Sequence, residues 1–210
     1  MGVSARRDGG SRTSIGTGGS TRIAWPATFA RKRNAPLRAD HLRYVRQTAE
    51  RGELHCFVLD CSASMLGGER LALAKGLLVR CFDSAARARV EVALVSFGGV
   101  RADVRFGPGV PRWWNERWLA PVGGGGGTPF ALGLRTAGQV LQHAARRQPA
   151  QHRALWILTD GRSSERPAKP AWADRIVFVD FEREVPALQV CGRLAQAWDA
   201  EWVRAQALTG

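Results

Sequence analysis

LHCFVLDCSAS, residues 54–64, is an uncharged run, with His55 neutral, into which a single aspartate is set ahead of two serines, in the spacing Asp60-x-Ser62-x-Ser64. A run that stays apolar instead of alternating reads as a strand covered on both faces, as in a parallel sheet. The C-terminal end of such a strand is where open α/β sheets bind ligands. Asp60, Ser62 and Ser64 therefore arrive on one tight loop as three hard oxygen groups. That donor set suits Mg2+, which keeps several waters and takes few protein carboxylates. The same residues also suit a plain strand-to-helix turn in which Asp and Ser cap the next helix.

Downstream of this strand the pattern repeats. Apolar residues at Leu71, Ala74, Leu77, Leu78, Cys81, Phe82 and Ala85 form a helical stripe over 69–85. Residues 90–97, VEVALVSF, read as a second buried strand. Residues 100–106, VRADVRF, alternate with period two and follow Gly98-Gly99, which predicts an antiparallel edge strand joined by a tight turn. Trp113, Trp114 and Trp118 mark a short element whose rings are expected either to pack under the next loop or to form a contact patch, the first being favoured. Five glycines, Gly123 to Gly127, then lead into Thr128-Pro129 and a helix over 130–147, with Thr128 as N-cap and Pro129 at the first helical position. A further buried strand, ALWILTD, ends at Asp160-Gly161. A strand at 175–181, a helix at 187–198 and a short last strand at 201–204 complete the chain. Strands alternating with helices predict a doubly wound α/β sandwich. Its sheet is mostly parallel with one antiparallel edge strand, and helices cover both faces.

Upstream, residues 1–50 read as a basic, largely disordered leader and residues 51–208 as the folded domain. The chain has a net charge of +13, and residues 1–51 hold 11 Lys/Arg against 3 Asp/Glu. Residues 1–20, rich in Gly, Ser and Arg, bury too little apolar surface to fold alone. The segment RIAWPATF, residues 22–29, contains Pro26 and predicts an extended docking piece. Such a leader suits an acidic protein surface or nucleic acid, but only Trp25, Phe29 and Tyr44 are present for base stacking. No run has the roughly 18 apolar residues of a membrane helix, and no signal peptide is evident, so a cytoplasmic protein is expected. Cys56, Cys61, Cys81 and Cys191 lack any CxxC spacing and read as reduced residues.

Three loops carry the chemistry: the one after Asp60, the glycine loop ending at Thr128, and the one at Asp160. All three belong on one rim of the sheet. Two carboxylates and three hydroxyls meeting there require a cation.

Asp60-x-Ser62-x-Ser64, Thr128 and Asp160-Gly161 together resemble the metal-ion-dependent adhesion site of von Willebrand factor A domains, over residues 54–205. The resemblance implies Mg2+ (or Mn2+) held by Asp60, Ser62, Ser64, Thr128 and Asp160, with an open position for a partner's carboxylate. LDCSASM, GGGGGTPFALGL and LTDGRSS are similar to the A domain of the magnesium chelatase D subunit and its cobaltochelatase counterpart. That likeness implies an AAA+ ATPase subunit and a large tetrapyrrole-binding subunit as partners, in porphyrin or cobalamin biosynthesis. The family's D subunit also carries an ATPase region. This sequence has no GxxxxGK[ST], so a stand-alone A domain is expected, non-catalytic by itself. Three other functions compete with this one. The first is a partner of a MoxR-type ATPase, and the second a basic RNA- or DNA-binding A domain. The third is a Mg2+-dependent hydrolase, against which stand the lack of a histidine in the three loops and of any GxSxG elbow.

Overall fold

Six strands form one twisted sheet because four of them carry near-continuous apolar runs that only burial on both faces satisfies. The computed structural model describes residues 21–23, 44–46, 52–67, 69–112, 128–184 and 186–208. Most of the leader, the tryptophans at 113, 114 and 118, and the glycines at 123–127 lie outside the described residues. The chain divides into two units, Met1–Glu50 and Arg51–Gly210. In the first, β1 (Thr21–Ile23) pairs antiparallel with β2 (Tyr44–Arg46), a ladder the sequence reading did not anticipate.

The second unit begins with β3 (Glu53–Asp60), a short α1 (Ala63–Leu66) and α2 (Arg70–Ala88). The chain continues through β4 (Glu91–Gly98) and β5 (Arg101–Gly109). Next come α3 (Phe130–Arg147), β6 (His152–Thr159) and β7 (Arg175–Asp180). It closes with α4 (Val190–Trp198), β8 (Glu201–Arg204) and a 3-10 turn at Ala205–Leu208. The strand order is β5-β4-β3-β6-β7-β8, parallel throughout except for the β4–β5 hairpin. The expected mostly parallel sheet with one antiparallel edge is therefore present. The hairpin turn sits at Gly99-Val100, one residue later than the glycine pair suggested, and Gly99 takes the positive φ of 62° that the tight turn needs.

The alternating side chains of β3 divide the core. Leu54, Cys56 and Val58 face α3 and α4, among Leu134, Leu141, Phe178 and Trp198. Phe57, Leu59 and Cys61 face α2, among Leu71, Leu78 and Phe82. Each such buried aliphatic or aromatic side chain contributes about 1.5–3 kcal/mol. Helices thus cover both faces, as expected. The α2 stripe is narrower than the sequence suggested: Cys81 is exposed, whereas Cys56, Cys61 and Cys191 are buried and all four are free thiols. Cys81 follows Leu77 by one turn at the margin of the stripe, where Leu77 itself is exposed at 9% against 1% for Leu78 and Phe82.

On the α2 face, His55 is half-buried and its Nδ1 accepts the indole N–H of Trp156 at 3.0 Å. Burial pushes His55 below its ordinary 6.5. Glu53, 3.3 Å from Nε2, opposes that shift, while Arg175 and His152 add to it. The unfolded chain therefore binds the extra proton first as pH falls, and folding stability drops from pH 6.5 downward. The raised pKa of Asp60 acts in the opposite sense over the same range, so the contribution is read between variants: in urea denaturation at about pH 7.5 and about pH 5.5, His55→Gln should lose less stability, or gain more, than the wild type as pH falls.

Candidate metal centre

β3 and β6 lie side by side and end at the same level, with Leu59 opposite Leu158, so Asp60 and Asp160 emerge next to each other at the C-terminal rim. Both are buried, at 0% and 1% exposure. The Asp60 carboxylate is held on two sides. Its Oδ1 accepts the Ser62 N–H at 2.8 Å, and its Oδ2 accepts the Thr159 hydroxyl at 2.6 Å. These bonds aim the carboxylate along the rim. Burial pushes its pKa up to about 6 against the pull of those hydrogen bonds, and the Asp160 charge adds to the rise. Among the described residues no cation pairs with Asp60.

The Ser62 hydroxyl is buried and lies 3.1 Å from that of Ser64. Neighbouring ligands of an octahedral Mg2+ with bonds near 2.1 Å sit about 3 Å apart, so this pair has the spacing of adjacent ligands. Asp160 accepts the Arg162 N–H through Oδ1 at 3.1 Å and pairs with Arg70 through Oδ2 at 3.3 Å. Arg70 also donates to the Ser64 carbonyl at 3.0 Å and to Glu184, which Arg162 meets at 3.1 Å. The guanidinium at the start of α2 thereby ties the serine loop to the Asp160 loop.

Thr128 departs from expectation. α3 begins at Phe130 with Pro129 in the cap position, a residue whose side chain makes no cap bond. The Thr128 hydroxyl instead donates to the Arg162 carbonyl at 3.2 Å, while the Thr128 carbonyl accepts the Ser163 hydroxyl at 3.3 Å. Glu165 supplies the missing cap by accepting the Ala131 N–H at 2.6 Å. Thr128 is therefore sewn to the loop that follows Asp160. Among the described residues no hydrogen bond joins it to Asp60, Ser62 or Ser64.

The sequence reading missed Thr159, Arg70, Arg162 and Glu184. Thr159 was legible in principle, since it stands beside Asp160 at the end of a strand whose neighbour ends in Asp60. Arg70 and Glu184 carried no such signal, because they are 114 residues apart and meet only through the fold.

The donor set fits a hard divalent ion. Its groups are two carboxylates and neighbouring hydroxyls, all oxygen. Among the described residues no group of three or more His, Cys, Asp or Glu is placed to hold a metal, so a nitrogen- or sulfur-rich centre has no counterpart here.

The model of the von Willebrand factor type A domain matches residues 56–162, which include both aspartates, both serines and Thr128. The chain belongs to the von Willebrand factor type A domain family. It is 30% identical over 186 residues to an uncharacterized protein of Mycobacterium tuberculosis, covering 82% of this chain and 30% of that protein. It is also similar to magnesium-chelatase subunits. Identity is 31% over 153 residues with the 60 kDa subunit of Rhodobacter capsulatus, covering 68% of this chain and 26% of the subunit. With the 67 kDa subunit of Chlorobaculum tepidum it is 32% over 152 residues, covering 71% and 24%. The chain spans less than a third of the length of these relatives. Among solved structures, an aerotolerance-related membrane protein from Bacteroides fragilis shares the fold. The TM-score is 0.53 at 15% identity, over 75% of this chain and 94% of that one. Among the described residues of this chain no helix is long and apolar enough to cross a membrane.

Proposed function

We propose that this A domain is a Mg2+-dependent protein-interaction subunit. Asp60, Ser62, Ser64, Thr128 and Asp160 hold the ion directly or through water, and a carboxylate of a partner protein completes it. The observation that carries this reading is the pair of buried carboxylates at adjacent strand ends, next to two hydroxyls 3.1 Å apart. Bound Mg2+ supplies a positive charge and an open coordination position. The protein's part is to aim Asp60 through Ser62 and Thr159, and to hold Asp160 with Arg70 and the Arg162 N–H. Arg70 acts as a resident cation shared by Asp160 and Glu184 and leaves the Asp60 charge for the ion.

Similarity to magnesium-chelatase subunits favours one assembly: an AAA+ ATPase subunit and a large tetrapyrrole-binding subunit, in the cytoplasm, inserting magnesium or cobalt. A MoxR-type ATPase is the nearest alternative partner. The domain is non-catalytic by itself in this reading. Among the described residues, His55 faces Trp156, His143 lies toward the C-terminal end of α3, and His152 begins β6 at the end of the sheet away from Asp160, so none of these three imidazoles stands ready to act as base.

Mixing the chain with the chelatase-type ATPase and large subunits of its own organism tests this. Co-elution in Mg2+ and separation in EDTA, with an unchanged circular dichroism spectrum, is the expected result. Equal co-elution in EDTA would remove the ion from the interface.

A further inference from the structure

The connection from β6 to β7 departs from the rest of the fold. Parallel neighbours are usually joined through a helix. Here residues 161–174 cross without one. The segment is pinned at three levels. At the rim Ser163 and Arg162 bond Thr128. Midway, the Lys169 ammonium donates to the Trp198 carbonyl at the end of α4. At the far end the buried Arg153 side chain donates to the Trp172 carbonyl at 2.9 Å and pairs with Asp174 at 3.2 Å. A connection held this way cannot collapse onto α3, and a groove of about 540 Å3 runs between them.

The lining of the groove has a definite chemistry. Arg135 on α3, and Arg166 and Lys169 on the connection, bring three positive charges; among the described residues no acidic side chain lines the groove, and the adjacent Glu165 accepts the Ala131 N–H at its rim end. Among the described residues neither Arg135 nor Arg166 enters an ion pair. Leu134, Pro167 and Pro170 give apolar wall between the charges. At one end stands Trp172, 50% exposed and held at φ 72°, a backbone angle that a bulky side chain adopts only when its surroundings impose it. The turn at 171–172 holds this angle, with the Trp172 carbonyl bonded by Arg153, and half of the residue is left in solvent. On α3, Gly138 forms part of the floor, and a Cβ built there meets nothing within 4 Å.

We propose that this groove is a second docking site, distinct from the metal rim, for an acidic extended segment of a partner protein. Charge complementarity selects an acidic occupant. The floor from Ala131 to Gln142 is roughly 16 Å long at helical rise, room for about five residues of extended chain. Side chains that alternate between acidic and apolar match cations interleaved with the two prolines and Trp172. A single-stranded nucleic acid is the poorer match, since it is read by a cationic track with several stacking rings, and one indole stands here.

The full-length chain is titrated in EDTA with a labelled synthetic peptide of alternating glutamate and leucine, read by fluorescence anisotropy, and separately with oligothymidylate. The peptide binds, and its affinity falls with added salt. Arg135→Glu with Arg166→Glu weakens it by about tenfold or more. Gly138→Trp blocks it to a similar extent with the melting temperature unchanged. Arg135→Gln with Arg166→Gln serves if the charge-reversed chain fails to fold. Unchanged peptide affinity in all of these variants overturns the proposal. Tighter, arginine-dependent binding of oligothymidylate overturns it too, and makes the groove a nucleic-acid surface. Because EDTA removes the ion, a failure here is separate from any failure of the metal-rim reading.

Discussion

Asp60→Ala is expected to abolish the thermal stabilisation that Mg2+ gives the wild-type chain. A ligand at a hundred times its dissociation constant stabilises the native state by about 2.7 kcal/mol. For a domain of this size that corresponds to roughly 5–10 °C in melting temperature. Among the described residues Asp60 is the carboxylate of the two with no cation beside it, buried at 0% exposure and with its pKa pushed up to about 6. Removing it takes away the charge that an incoming ion would neutralise. The apo variant also loses acceptors for the Ser62 N–H and the Thr159 hydroxyl, but it sheds a carboxylate that burial disfavours. Its melting temperature without metal should therefore stay near that of the wild type, while the Mg2+-dependent increment disappears in differential scanning fluorimetry. An increment of wild-type size in the variant would take Asp60 out of the ligand set.

Gly133→Val is expected to destabilise the domain by about 3 kcal/mol, as overpacking of a filled core does. A Cβ at Gly133 would stand 2.6 Å from Cδ1 and 2.8 Å from Cγ of Phe97. Phe97 has nowhere to retreat: it is fully buried, its ring lies 5.8 Å from that of Phe130, and its carbonyl accepts the Cys61 N–H at 2.7 Å. The glycine thus lets α3 lie close on β4 where the helix leaves Thr128. The substitution should lower the melting temperature by roughly 6–12 °C and weaken Mg2+ binding at the same time. Calorimetry reads both. A variant as stable as the wild type would mean that α3 shifts freely on the sheet.

The strands were legible in the sequence because burial on both faces leaves a composition that nothing else produces: LHCFVLD, VEVALVSF and ALWILTD all fall where strands form. The antiparallel edge was legible from the period-two alternation that half-exposure imposes. Reading failed where a side chain had a choice of partners. Thr128 has the chemistry of a cap, but the loop after Asp160 offered its hydroxyl a carbonyl, and Glu165, 34 residues beyond the Ala131 it bonds, took the capping role instead. Cys81 joined the apolar stripe of α2 by residue type, although its angle around the helix faces outward. Arg70 looked like an ordinary first-turn residue. Only the fold brings Glu184 and Asp160 to it.

The two outermost strands bear on how this domain behaves when crowded with its own copies. β5 meets β4 with two register shifts, carries Arg101 and Arg105, and contains Pro108, which has no N–H to offer. β8, on the opposite side, is only four residues long and passes straight into a 3-10 turn. Neither border presents a long flat row of free amides for another chain to zip onto, so the sheet resists templated growth into fibrils even at high concentration.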